Sequence, residues 1–404
     1  MCSFPDRYVY SHSALTPRGE NGRCARRIAM ACALGIAHSA AAQQFGTVDA
    51  AIRSGIDTGI YPGAVVVVGR ADTILYAHGY GHYTWSAASP TPDPTTTRWD
   101  LASLTKIVAT SSATAVLVQQ RRLDLDAPVS RYLPEFSGGR KNAVTVRMLL
   151  NHTSGMPPYV KFFQSAHSVA EARRQLFSVP LQRAPGASAE YSDLNAMLAG
   201  LVVERVSGQP LERFADSAVF RPLGMLSTQY RPTPADKTKT APTGRYHGQP
   251  VGGVVNDQNA VVLGGVSGHA GVFSTGYDMA RFAQAWLKAT TDRSTWLSRA
   301  TVAEFFTHSP TSGTRVLGWD TPLPPGGKKL SLYGRCATTS TYGHTGWTGT
   351  EMWIDPGQDL FVVLLTNRSF APNNPKDSFV ELKDVRARVA DAVRTELGGC
   401  RSNG

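Results

Sequence analysis

The sequence carries little charge and little cysteine. Across 404 residues only 18% are Asp, Glu, Lys or Arg, against 42% hydrophobic and 9% aromatic. That is the balance of an ordinary globular chain, long enough for a large core and two subdomains. No run approaches the roughly 18 successive apolar residues that span a bilayer, so an integral membrane protein is not expected. There is no H-E-x-x-H and no C-x-x-C, so zinc chemistry, a metal centre and a cofactor are not expected either. The absence of G-x-S-x-G excludes the nucleophile elbow of an α/β-hydrolase. Internal repeats and low-complexity tracts are missing too. The formal charge is +11, yet no Lys/Arg cluster or nucleic-acid motif accompanies it, and no nucleic-acid partner is expected.

Three of the five cysteines, Cys2, Cys24 and Cys32, fall in the first 42 residues, where the composition differs. Arg26 and Arg27 precede the apolar run IAMACALGIA (28–37), which is followed by small residues with an A-x-A site at 40–42. A basic region, a short apolar region and small residues spell a secretory signal peptide cleaved near Ala42. The expectation is a secreted or periplasmic protein with no membrane segment after cleavage; a buried helix is the alternative reading of the run. The polar residues 1–25 are unusual for a leader, so translation is expected to start further downstream. Without residues 1–42, 36 Lys and Arg face 28 Asp and Glu, a charge of +8. Such a surface could serve anionic cell-wall polymer, but simple solubility is the favoured reading. Cys336 and Cys400 remain. An oxidising compartment permits them to pair, but their separation in space is not legible in the sequence.

Residues 45–60 have helical apolar spacing. AVVVVG (64–69) and TILYAHG (73–79) read as strands joined by a polar turn. The run 103–120 is rich in Ala, Val and Leu without Gly or Pro, and predicts one buried helix. Residues 121–260 show short helical patches between Pro/Gly loops and no clear strand. A helix follows at 276–290, then strand-like YGHTG, TEMWIDP and LFVVLLTNR, the last suited to a central position. A final helix places Leu382, Val385, Val389, Val393 and Leu397 on one face. An α+β fold follows: an antiparallel sheet from both chain ends (43–120 and 261–400), flanked by helices, with a mainly helical subdomain (121–260) inserted. A cleft between them is the expected site.

Ser103 and Lys106 stand three residues apart in WDLASLTKIVAT (99–110). On a helix such residues share a face, so an amine lies beside a hydroxyl that needs a base to become nucleophilic. Alone the S-x-x-K pattern is near chance; the other nine lysines lack it. Its context is more specific. SLTK (103–106), YSD (191–193) and HTG (344–346) occur in that order, 88 and 241 residues apart from Ser103. In this the chain resembles the serine β-lactamase and penicillin-binding protein superfamily, in its class C and D,D-peptidase branch. LLNHTSGMP (149–157), VNDQNAVVLGGVSGHAGVFST (255–275) and GHTGWTGTEMWIDP (343–356) extend the resemblance over nearly the whole chain. They are most similar to low-molecular-weight penicillin-binding proteins of the 4B kind and related muropeptide hydrolases.

The resemblance implies a β-lactamase/transpeptidase-like fold with Ser103 as acylated nucleophile, Lys106 as proton acceptor and Tyr191 as proton shuttle. His344 and Thr345 would bind the substrate carboxylate or amide. The backbone N–H groups of Ser103 and Trp347 would form the oxyanion hole, and Gly346 would let the acyl group approach the strand. Two departures stand out. Asp193 replaces the usual Asn, and it either stabilises Lys106 as an ammonium or points elsewhere. His344 replaces Lys, which argues against strong β-lactamase activity and implies carboxylate binding that titrates near neutral pH. His152 and His269 read as structural, Asn256, Asp257 and Asn259 as loop caps, and Trp347 and Trp353 as packing residues, Trp347 also within reach of substrate.

The expected protein is therefore an exported serine hydrolase forming an acyl-enzyme on a peptidoglycan-derived peptide, as a D-alanyl-D-alanine carboxypeptidase or muropeptide amidase. One rival is an esterase on short acyl chains or a weak β-lactamase; the other is a catalytically silent wall-binding protein. Oligomeric state is not legible.

Overall fold

The computed structural model describes residues 45–246, 248–322, 331–370 and 377–400. The expected leader, its cleavage site and Cys2, Cys24 and Cys32 lie outside them. Five strands form the main sheet: β1 (Gly63–Gly69), β2 (Ile74–Gly81), β3 (Tyr342–Thr345), β4 (Glu351–Asp355) and β5 (Leu360–Thr366). Their order is β2-β1-β5-β4-β3 with antiparallel neighbours throughout. β1 and β5, the apolar runs GAVVVVG and LFVVLLT, are buried along their whole length and pair in the centre of the sheet. A strand without polar alternation needs cover on both faces, and only the middle of a sandwiched sheet supplies it.

Five helices bear on that sheet or on the site: α1 (Gly46–Asp57), α2 (Ser112–Gln119), α3 (Asp193–Ser207), α4 (Gly276–Ala289) and α5 (Asp377–Glu396). Side chains alternate across a strand. Val65, Val67, Phe361, Val363 and Leu365 therefore enter one core, with Met279, Phe282 and Trp286 of α4. Val66, Val68, Val362 and Leu364 enter the other, with Val48 and Ile52 of α1 and Leu382, Val385, Val389 and Val393 of α5. Each buried aliphatic of α5 contributes about 1.5–3 kcal/mol, so a charge at Val385 would release the helix from the sheet. Leu397 packs on the same cluster just past the helix end. The first core continues into the middle of the chain through Leu149, Met197, Leu198 and Phe214.

Two sequence expectations differ. The run 103–120 is not one regular helix: a 3₁₀ turn (Ala102–Leu104) leads into a π-helical stretch (Lys106–Ser111) and only then into α2. Its buried hydroxyls are satisfied by main-chain carbonyls, Thr110 donating to Gly268, Ser111 to Leu317 and Ser112 back to Ile107, each at 2.7 Å. Residues 121–260 also contain strands, Gln229–Tyr230, Gly244–Tyr246 and Gln249–Val251. Two or three residues are too few to show a period of two. Among the described residues no helix is long and apolar enough to cross a membrane.

Candidate active site

The short strand Trp99–Asp100 pairs with Val272–Ser274, which fixes the approach to Ser103. Asp100 Oδ1 accepts the Ala102 N–H at 2.9 Å and Asp100 Oδ2 accepts that of Asn256 at 2.7 Å. Ala102 is thereby held at φ +46°, a region costly for a residue with a Cβ. Burial pushes the Asp100 carboxyl up to about 6, against those two N–H bonds. One turn on, Lys106 Nζ donates to Ser103 Oγ at 2.8 Å and to the His269 carbonyl at 3.3 Å.

Tyr191 and Asp193 enter from the start of α3. The Tyr191 hydroxyl donates to Ser103 Oγ at 2.9 Å. Asp193 Oδ1 lies 2.8 Å from Lys106 Nζ, so it points at the amine and not elsewhere. Burial alone would lower the Lys106 pKa; the charge of Asp193 and contacts to Tyr191 outweigh it and hold the pKa above the ordinary lysine value. Lys106 is thus an ammonium in the resting site. Its cation faces the Tyr191 ring at 4.9 Å, and the Arg315 guanidinium does so at 5.0 Å.

His152 and His269 brace this group. The His152 Nδ1 accepts the Ser192 N–H at 3.2 Å, and its ring lies 4.8 Å from that of Tyr191. His269 is fixed between the Ser267 hydroxyl (2.7 Å) and Asp257 Oδ1 (2.9 Å). Asp257 also caps a short helix through the Ala260 N–H, and the buried Asn259 ties Val160 and Phe163 to it. Asp193, Asp257 and His269 each bring a potential metal-ligand atom within 4.8 Å of the others; the cation hydrogen-bonded beside them is the Lys106 ammonium.

The third motif lies on edge strand β3 and the turn after it. Thr348 Oγ1 donates to the Asp100 carbonyl at 2.7 Å, and Thr350 Oγ1 to that of Leu101 at 2.9 Å. These bonds bring the Trp347 and Ser103 main chains together. A Cβ on Gly346 would lie 2.5 Å from the Leu101 carbonyl and 3.3 Å from Ala102 Cβ. The missing side chain of Gly346 therefore makes room for the Thr350 hydroxyl and the nucleophile segment.

His344 requires a correction. It is 4% exposed; burial first, then the charges of Lys106 and Arg315, hold its pKa well below the ordinary value, and the ring is neutral. Titration near neutral pH is not compatible with that surrounding. The Nδ1 lies 2.8 Å from the Thr345 carbonyl, which only accepts, so Nδ1 carries the proton. Nε2, without a hydrogen-bond partner among the described residues, is left as an acceptor.

Ser103, Tyr191, Asp193, His344, Thr345, Gly346 and Trp347 all line one cleft of about 870 Å³, with Lys106 buried beneath. Trp347 is half exposed there, whereas Trp353 is fully buried under the Arg394 guanidinium. A serine between a cation and a phenol, opposite a turn of backbone donors, is a site for acyl transfer. The Beta-lactamase family model matches residues 48–385.

The chain belongs to the β-lactamase family. It is a serine hydrolase by that membership. A Salmonella enteritidis protein named "Putative D-alanyl-D-alanine carboxypeptidase" is 32% identical over 374 residues, covering 83% of this chain and 85% of its own. A class C β-lactamase from Rhodobacter sphaeroides superposes with TM-score 0.67 at 22% identity, over 87% of this chain and 99% of that one. A penicillin-binding protein homologue from Caulobacter crescentus gives 0.67 at 19%, over 87% and 97%. The antiparallel sheet with flanking helices is thus the β-lactamase/transpeptidase-like fold.

One cleft residue of this β-lactamase-family chain was invisible in the sequence. Arg315 lies in a loop without any motif, yet its guanidinium stands in the cleft beside Tyr191, 3.6 Å from Asp320. Of the described groups lining the cleft it is the one whose charge and planar donors suit a carboxylate.

Proposed function

We propose that the protein is an exported hydrolase of cell-wall peptides that removes a C-terminal residue from D-alanyl-D-alanine ends through an acyl-enzyme on Ser103. The observation that carries this reading is the convergence of Lys106 Nζ and Tyr191 OH on Ser103 Oγ at 2.8 and 2.9 Å, with Arg315 in the same cleft. The printed name of the Salmonella relative supports the substrate class. Export is supported by the Cys336–Cys400 disulfide, a bond that persists in oxidising compartments.

In the proposed sequence the substrate carboxylate binds Arg315. In the reacting state Tyr191 has released its phenolic proton to solvent; Ser103 Oγ attacks the carbonyl carbon of the scissile amide, and the serine proton passes to the Tyr191 oxygen with Lys106 as the fixed positive charge. The carbonyl oxygen becomes an oxyanion held by the N–H groups of Ser103 and Trp347, donors of a kind that contributes about 3–4 kcal/mol apiece. The C–N bond then breaks as Tyr191 returns the proton to the leaving amine. Water attacks the ester, giving a free carboxylate and restoring the Ser103 hydroxyl.

A short-chain esterase is the second reading, favoured by the neutral His344, which adds no charge for an anionic substrate. Muropeptide digestion followed by mass spectrometry, with Ser103→Ala as control, tests the proposal. Loss of one terminal alanine by the wild type alone supports it. Efficient hydrolysis of p-nitrophenyl butyrate with intact peptides overturns it in favour of the esterase, and failure of a fluorophosphonate to label Ser103 overturns both. N-terminal sequencing of the exported chain tests the leader.

A further inference from the structure

Behind the turn that follows β3 lies a group of buried cations that substrate cannot reach. Arg386 of α5 is 1% exposed, and its Nη2 donates to the Gly346 carbonyl at 3.3 Å and to the Thr350 carbonyl at 2.7 Å. Arg368, fully buried, donates through Nε to the Trp347 carbonyl at 3.1 Å and through Nη2 to the same oxygen. Its guanidinium also lies 4.5 Å from the Trp347 ring centre. Glu351, on β4 and opposite Thr345 in register, is buried with its Oε2 3.9 Å from Arg386 Nε.

The geometry of the peptide plane gives these contacts a consequence. The Gly346 carbonyl and the Trp347 N–H belong to one planar unit and point in opposite directions when it is trans. Pulling the carbonyl toward Arg386 therefore turns the N–H toward the other side of the turn, where the Thr348 and Thr350 hydroxyls hold the Ser103 segment. Arg368 fixes the next plane through its carbonyl. A buried guanidinium with several fixed donors holds main-chain oxygens more rigidly than a water would.

We propose that Arg386 and Arg368 are positioning residues that aim the Trp347 N–H into the oxyanion hole. They contact the turn Gly346–Thr350, and through it they act on the oxyanion hole. The inference rests on acyl transfer at Ser103, not on which acyl substrate is natural.

The test compares Arg386→Met, Arg386→Lys and Arg368→Gln with wild type on p-nitrophenyl butyrate and a D-alanyl-D-alanine peptide, using whichever is turned over. Removing a whole oxyanion donor costs about 100- to 1,000-fold in kcat, and a misaimed donor is expected to cost at least about tenfold with KM nearly unchanged. Affinity for phenylboronic acid, whose tetrahedral adduct on Ser103 fills the hole, should weaken by a similar factor. Arg386→Lys, which keeps the charge and one donor direction, should recover part of kcat. Arg368→Gln supplies the measurement if Arg386→Met does not fold, with circular dichroism and melting temperature as controls. A folded variant with wild-type kcat and boronate affinity overturns this inference alone. A wild type that neither turns over substrate nor takes fluorophosphonate at Ser103 overturns it together with the acyl-transfer reading.

Discussion

Asp193 Oδ1 lies 2.8 Å from Lys106 Nζ, and the same ammonium donates to Ser103 Oγ over 2.8 Å. The ion pair sets the charge of the group beside the nucleophile. With the Lys106 pKa raised, the amine is protonated at neutral pH; in the proposed acyl transfer it is the fixed cation and Tyr191 exchanges the proton. Asp193→Asn removes the main charge that raises it. If activity requires the ammonium, the alkaline limb of kcat/KM should move to lower pH in the variant. Should the acidic limb move down instead, with a faster rate at pH 7, Lys106 would be the neutral base and Tyr191 its helper. A pH–rate profile on one substrate decides.

Arg315 separates binding from chemistry. Arg315→Gln should raise KM for a peptide with a free terminal carboxylate by about tenfold or more, the loss of a charge-assisted hydrogen bond of ~1.5–3 kcal/mol. On p-nitrophenyl butyrate, which has no carboxylate, KM should hardly change. Equal effects on both substrates would remove Arg315 as the anchor. In the same assays the wild-type KM for the peptide should show no His344 titration between about pH 6 and 8, because that ring is neutral throughout.

Asp100 makes stability depend on pH in a defined direction. Burial raises its carboxyl from the ordinary 3.8 to about 6, so the folded chain binds that proton more tightly than the unfolded one. The stability it contributes is complete below pH 4 and is lost as pH rises through 6. Asp100→Asn does not titrate. The difference in stability, variant minus wild type, should therefore grow in the variant's favour by on the order of 3 kcal/mol between pH 4 and 8. Paired denaturant melts across that range measure it. A constant difference would mean that Asp100 is solvated or otherwise paired.

Cys336 and Cys400, 64 residues apart with Cα atoms 5.6 Å from each other, tie the end of α5 to the segment carrying Leu332 and Tyr333 of the cleft. In the chain-entropy account such a loop closure contributes up to about 4 kcal/mol. Cys336→Ser with Cys400→Ser should lower the melting temperature by roughly 5 °C at that limit, and dithiothreitol should reproduce the shift in wild type but not in the variant. An unchanged melting curve on reduction would show that the bond carries no stability.

Much of this protein was legible one segment at a time. The apolar runs of β1 and β5 announced strands, that of β5 a central one, and the 3.6-residue spacing of Leu382, Val385, Val389 and Val393 announced the face of α5. The family was readable because SLTK, YSD and HTG occur in order, and short motifs survive as strings. What the strings could not carry was direction. Whether Asp193 meets Lys106, whether His344 is wet or buried, and what fills the space at Gly346 depend on segments 90 to 240 residues away in sequence. Arg315 and Arg386 were hidden for the same reason: an arginine in a loop and an arginine in a helix look alike until packing decides which is desolvated. The local sequence by itself determined the strands of the main sheet, the face of α5 and the types of the reacting groups, but not the irregular turn at 102–111 or the short strands within 121–260. Their charge states and aim were decided only by tertiary structure, because burial and neighbouring charges are properties of the surroundings and not of the residue.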